Sequence, residues 1–181
     1  MAHSCDVRDP ESISNLISAV KQRFRQIDIL FNNAGIAHPS ANVDQLGIDV
    51  WKEVVDTNLT GTFLVTRAAL PLMPSGAAIV NNLSIAAKRV FPGSSAYNAS
   101  KHGALGLTNT LREELRPRRI RVIALLPGAT STDIWKTLWP DAPRKKMMSA
   151  ETVAQAVVKC LLLPQDSTVE ELVILPTVGT L

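Results

Sequence analysis

Ile27-Asp28-Ile29-Leu30-Phe31-Asn32-Asn33-Ala34-Gly35 is the stretch on which the fold turns. Ile27 to Phe31 reads as a buried strand, and Asn32-Asn33-Ala34-Gly35 breaks it with residues that tolerate a sharp exit from a sheet. Upstream, Asp9 is placed to cap a helix with Pro10 at its first position, and Ile13, Leu16, Ile17, Val20 and Phe24 then recur on one face to about Gln26. Downstream, a loop to about Asp44 leads into a helical stripe of Trp51, Val54, Val55, Leu59, Phe63, Leu64 and Ala68 that reaches about Leu72, with a bend near Asn58 to Gly61. Ala77 to Leu83 is the next strand, Ala96 to Leu115 the next helix, and Ile120 to Leu126 another strand, stopped by Pro127-Gly128. Ser149 caps a last helix that buries Val153, Val157, Leu161 and Leu162, and Leu172 to Leu175 ends the pattern as a strand. Such alternation of strand and amphipathic helix predicts an α/β fold around a parallel sheet, in one domain over residues 1–181. The segment from Thr130 to Met148 breaks the alternation. Its Trp135, Leu138 and Trp139 are too apolar for a solvated linker and suit a lid over a substrate.

Composition narrows the function. The 181 residues are 46% hydrophobic with few aromatic residues, and the formal net charge is only +3, without the cationic stripe that nucleic acid requires. Arg116 to Arg121 reads as a solvated helix end. No apolar run approaches the ~18 residues of a membrane span, and the start has no signal-peptide core, so the expectation is a cytoplasmic protein bound to no membrane. Cys5 and Cys160 lie outside any metal or disulfide spacing and read as reduced, buried thiols. His3, His38 and His102 lack ligand spacing and read as surface or turn residues, so no metal is expected.

The chemistry concentrates in Ser84, Tyr97 and Lys101. Tyr97 and Lys101 are one turn apart on one helix face. A lysine ammonium near a tyrosine hydroxyl favours the phenolate and lowers its pKa toward neutrality, where it serves as a general acid or base. Ser84 follows the strand Ala77 to Leu83, at the sheet edge where open α/β folds build their ligand crevice, and its hydroxyl is placed to donate to a carbonyl oxygen. Taken singly, Tyr-x-x-x-Lys is an ordinary surface pair and Ser84 a turn residue.

Taken together and in order, these landmarks resemble the short-chain dehydrogenases/reductases across essentially the whole chain. Asp6-Val7 is similar to the family's Asp-Val after its third strand, Asn32-Asn33-Ala34-Gly35 to its Asn-Asn-Ala-Gly, and Pro127-Gly128 to its Pro-Gly after the sixth strand. Asn58 stands where the family's catalytic asparagine kinks a long helix, and Thr132 where a threonine meets the nicotinamide carboxamide. The resemblance implies a Rossmann-like parallel sheet with helices on both faces. It implies hydride transfer between NAD or NADP and a small-molecule alcohol or carbonyl, with Asn58, Ser84, Tyr97 and Lys101 as the catalytic set. Ser84 would polarise the substrate oxygen, Tyr97 exchange its proton, Lys101 lower the tyrosine's pKa and bind the nicotinamide ribose, and Asn58 hold a relay water. Asp6, Val7, Asn33, Ala34, Gly35, Tyr97, Lys101, Pro127, Gly128 and Thr132 would contact the cofactor. The helices from Trp51 to Leu72 and from Ala96 to Leu115 resemble the family's dimer bundle, implying a homodimer or homotetramer.

One departure is large. The family's Thr-Gly-x-x-x-Gly-x-Gly turn, whose backbone N–H groups receive the pyrophosphate, has no counterpart, and the sheet is expected to lack the family's first two strands. Cofactor binding is therefore expected to be weak. The strand Ile27 to Phe31 would be left with an unpaired edge, so the segment ending at Val7 is expected to pair beside it, or another chain to cover it. The alternative to an oxidoreductase is a non-catalytic binding or scaffold protein with the same fold.

Overall fold

The computed structural model describes residues 1–179, so the last two residues of the expected domain lie outside the described residues. Four strands, β1 (Ile29–Asn32), β2 (Ala78–Asn82), β3 (Arg121–Pro127) and β4 (Glu171–Ile174), lie parallel in the order β1-β2-β3-β4. Between β1 and β2 run α2 (Ile48–Val55), a π-turn at Asp56–Thr60 and α3 (Gly61–Ala69). Helix α4 (Ser95–Leu115) joins β2 to β3, and α5 (Trp135–Leu138) and α6 (Ala150–Leu161) precede β4. Helix α1 (Pro10–Phe24) precedes the sheet and packs on α3. As the sequence requires, the Asp9 carboxylate accepts from the Glu11 and Ser12 N–H groups, and the Ser149 hydroxyl accepts from Thr152 N at the start of α6.

Period-two alternation divides the core. Ile79 and Val122 pack with Leu111 and Leu115 of α4, while Val80, Ile123 and Leu125 meet Val153 and Val157 of α6. Each fully buried aliphatic side chain contributes roughly 1.5–3 kcal/mol, which suffices to hold helices on both faces. Among the buried strand positions one is polar. Asn81, with 0% exposure, accepts from Asn32 Nδ2 at 2.8 Å and donates to Thr108 Oγ1 at 2.9 Å, so a side-chain ladder ties β1 to β2 and β2 to α4.

Several expectations are corrected. No strand ends at Val7, and nothing among the described residues pairs with the outer edge of β1. Residues 6–9 instead form a turn into α1: Asp9 N donates to the Asp6 carbonyl at 3.1 Å, Asp6 N to Ser12 Oγ at 3.0 Å, and Arg8 takes the Asp6 carboxylate at 2.8 Å. Local capping bonds thus satisfy the backbone that a ladder would have used. Val7 turns onto α3, where a Cβ on Gly61 would come within 2.7 Å of its Cγ2. Helix α6 packs over β2 and β3 but not β1, which leaves Ile29 52% and Phe31 41% exposed where a buried strand was expected. Phe24 also lies exposed, under the Arg23 guanidinium at 5.4 Å.

The basic cluster is structural rather than merely solvated. Arg118 donates to the carbonyls of Leu70 and Met73, and Arg121 to those of Leu161 and Leu163, so each occupies carbonyls at the end of a helical segment. Arg112 bridges the Val122 and Glu170 carbonyls. Cys5 and Cys160 are free but only half-buried, and His38 is buried, at 2% exposure. No helix among the described residues is long and apolar enough to cross a membrane.

Replacing Asn81 with Ala strips a donor and an acceptor from this dry ladder and leaves Thr108 short of a partner. The expected destabilisation is about 2–4 kcal/mol, read as a lower urea midpoint. A change under about 0.5 kcal/mol, the level of an ordinary surface substitution, would show that the ladder holds nothing together.

Candidate active site

All three chemistry-bearing stretches leave the sheet at strand carboxyl ends: Asn33 to Gly35 after β1, Leu83 and Ser84 after β2, Gly128 to Thr130 after β3. Parallel strands put these ends on one edge, where a cavity of about 1110 Å³ opens. Asn33, Gly35, Ser84, Tyr97, Lys101, Pro127, Gly128 and Thr132 line it. Asn58 stands behind this wall. Ala34 is not a lining residue, and neither are Asp6 and Val7, whose positions follow from the turn into α1.

Ser84 caps a short turn, Ile85–Ala87, by accepting from Ala86 N at 3.1 Å, and it lines the cavity together with Tyr97. On α4, Lys101 lies one turn beyond Tyr97, with Nζ 5.5 Å from the tyrosine ring centroid and donating to the Asn82 carbonyl at 3.2 Å. The π-turn at Asp56–Thr60 aims the Asn58 side chain inward. Its Oδ1 accepts from Ile36 N at 2.8 Å, while Nδ2 donates to the Ile36 carbonyl at 2.9 Å and to Ser100 Oγ at 3.0 Å. Ser100 in turn donates to the Tyr97 carbonyl at 2.8 Å. Asn58 therefore clamps the loop after β1 to the first turns of α4.

Electrostatics departs from the expectation for the tyrosine. Burial pushes the Tyr97 hydroxyl above its ordinary value, opposed only by the neighbouring Ser84 hydroxyl, and burial pulls the Lys101 ammonium down to about 8. Lys101 stands over the ring and turns its ammonium to the Asn82 carbonyl, and desolvation of the tyrosine prevails. Desolvation favours the neutral form of both groups.

Three residues of this arrangement went unread in the sequence. Ser100 links Asn58 to α4, Asn82 supplies the carbonyl that receives Lys101 and joins its amide to Asn33 Oδ1 at 2.7 Å, and Asn81 sets the register beneath them. The polar run Asn81-Asn82 at the end of an apolar strand was the available signal.

The residues fit one end of a nicotinamide dinucleotide. Gly35 leaves a cradle, since a Cβ there would lie 3.3 Å from Asn58 Oδ1 and 3.6 Å from Lys101 Nζ, and hydroxyl, amide and ammonium groups converge around it. Among the described residues no Gly-rich strand-to-helix turn offers N–H groups to a pyrophosphate.

Comparison with known proteins agrees with this fold. Residues 1–143 match the short chain dehydrogenase family. The chain is 36% identical over 152 residues to a 3beta-hydroxysteroid dehydrogenase of Mediterraneibacter gnavus, covering 83% of this chain and 54% of that one. It is 34% identical over 178 residues to a sepiapterin reductase of Chlorobaculum tepidum, covering 97% and 72%. Its fold superposes on an alcohol dehydrogenase of Thermococcus sibiricus complexed with 5-hydroxy-NADP, with a TM-score of 0.88, 28% identity, and 97% and 74% of the two chains covered. This chain belongs to the short-chain dehydrogenase/reductase family. It spans between about half and three-quarters of the length of these relatives.

The buried lysine carries a pH signature. Its folded pKa, about 8, lies below that of an exposed lysine, so the folded chain holds this proton less tightly than the unfolded one. The destabilisation is full below pH 8 and relieved as pH rises toward ~10.4, by up to about 3 kcal/mol. Urea unfolding of the wild type against Lys101→Met should show the difference in stability moving toward the wild type across that window. A pH-independent difference would mean that Lys101 is not desolvated.

Proposed function

We propose that this chain carries the catalytic portion of an oxidoreductase that interconverts an alcohol and a carbonyl with NAD or NADP. One observation carries the reading: Ser84, Tyr97 and Lys101 line one cavity at the carboxyl ends of the strands. Bound at this edge, the nicotinamide ring would supply or receive the hydride. Asn33, Gly35, Lys101, Pro127, Gly128 and Thr132 would hold that end of the cofactor.

The chain's own residues handle the proton. Ser84 and Tyr97 present two donors to a substrate oxygen, and in reduction Tyr97 releases its proton to that oxygen as charge develops there. With its pKa raised, Tyr97 is the acid form at neutral pH, the form that reduction consumes. The protonated Lys101 would stabilise the phenolate left behind. Asn58, with its side chain engaged by Ile36 and Ser100, holds the loop after β1 against α4, and a relay water held by Asn58 is part of the same proposal. Segment 130–148 would act as the lid of this single catalytic domain.

Affinity follows from the groups present. Without charge-assisted bonds to the pyrophosphate, each ~1.5–3 kcal/mol, binding would be weaker by a thousandfold or more. Tyr97→Phe should keep the circular dichroism of the wild type and any cofactor binding while losing more than about 100-fold in turnover, the scale of one acid–base catalyst. Turnover that survives in Tyr97→Phe, or failure of both NADH and NADPH to bind at millimolar concentration, would reject the reading.

We further infer a homodimer or homotetramer joined through α2, α3 and α4, because Ile48, Trp51 and Phe63 stand exposed on the first two. Two free thiols suit a cytoplasmic location. Equilibrium sedimentation should give a mass above 19.6 kDa, and a monomer at that mass would remove the oligomer proposal.

A further inference from the structure

The cavity is poor in charge. Among the described lining residues only Lys101 is charged at neutral pH, and its ammonium is engaged by the Asn82 carbonyl at 3.2 Å. Away from Ser84 and Tyr97, the wall is built from Phe91 and Pro92 ahead of α4 and from Ile134, Trp135, Leu138 and Trp139 of segment 130–148. That segment is internally braced. Met148 N donates to the Ala129 carbonyl at 3.0 Å and Ser131 N to the Met148 carbonyl at 2.8 Å, which joins its two ends, while Trp135 Nε1 donates to the Thr130 carbonyl at 2.8 Å and fixes the indole. The cations of the segment serve elsewhere. Lys136 pairs with Asp133 at 2.9 Å, Arg144 donates to the Thr132 carbonyl, and none of Lys136, Lys145 and Lys146 lines the cavity.

A carboxylate, sulfonate or phosphate entering here would lose its hydration without gaining a cationic partner beyond Lys101. An uncharged ring or chain loses only apolar contact with water, and the indole and phenyl faces receive it. From this placement we infer that the site takes an uncharged, largely apolar ketone or alcohol, and that Trp135 and Trp139 determine that preference. The ketone or alcohol part of this inference rests on the oxidoreductase reading. The exclusion of anions rests on the wall alone.

Camphor and camphorsulfonate share one bicyclic ketone and differ in charge. Of the three tryptophans, Trp51 lies on α2, so Trp51→Phe leaves a fluorescence signal from Trp135 and Trp139 alone. Titration of that chain should show camphor binding at least about tenfold more tightly than camphorsulfonate, a difference of ~1.4 kcal/mol. Trp135→Ala, read through Trp139, should bring the two ligands within about threefold, while Trp135→Phe should retain the preference. Equal binding, tighter binding of the sulfonate, no quenching by either ligand at millimolar concentration, or a preference untouched by Trp135→Ala would each overturn the inference. Because the readout is binding, an inactive chain that still prefers camphor would reject the oxidoreductase reading and leave the apolar site standing.

Discussion

A side-chain amide with no exposed surface, that of Asn81, joins three elements at once, to Asn32 on β1 and to Thr108 on α4. In a low-dielectric interior such bonds are strong, and each polar group left alone is expensive, so neither the register of β1 on β2 nor the rotation of α4 is free to slip. Thr108, Lys101 and Tyr97 share α4, which means that the ladder sets the height of the tyrosine and lysine above the strand ends. Asn58 does the same work from the other side by clamping Ile36 and Ser100. The chemistry at the cavity mouth therefore rests on two asparagines that are buried beneath it.

Burial then shapes the electrostatics. Tyr97 and Lys101 respond to desolvation in opposite directions on the pH scale, yet toward the same end, the neutral form of each. A tyrosine that stays protonated beside a hydroxyl donor suits delivery of a proton to a carbonyl oxygen. The lysine contributes as a positive charge only while it keeps its own proton, so the protonation of the pair is coupled to whatever fills the cavity.

The outer edge of β1 shows how a strand's character depends on its neighbours. The run Ile27 to Phe31 has the composition of a buried strand, but α6 packs on β2, β3 and β4, and Ile29 and Phe31 remain half-open. Asp6 and Val7 keep the family's residue types in a different setting. Their backbone is consumed by the turn that caps α1, and the Asp6 carboxylate by Arg8, which holds its pKa down to about 2.

Local information was enough for most of the architecture. The caps at Asp9 and Ser149, the strand stops at Asn33 and Pro127-Gly128, and the four-residue interval between Tyr97 and Lys101 are short-range features, decided by backbone stereochemistry and helical periodicity, and all are legible in the chain itself. The order of the landmarks was legible too, and with it the family. Tertiary structure alone decided which groups face one another: that Asn58 holds Ile36 and Ser100, that Lys101 turns to the Asn82 carbonyl, that His38 is buried, and that Arg118 and Arg121 occupy helix-end carbonyls. Hydrogen-bond partners across tens of residues, and the desolvation that moves a pKa, belong to packing in three dimensions, and no spacing along one dimension encodes them.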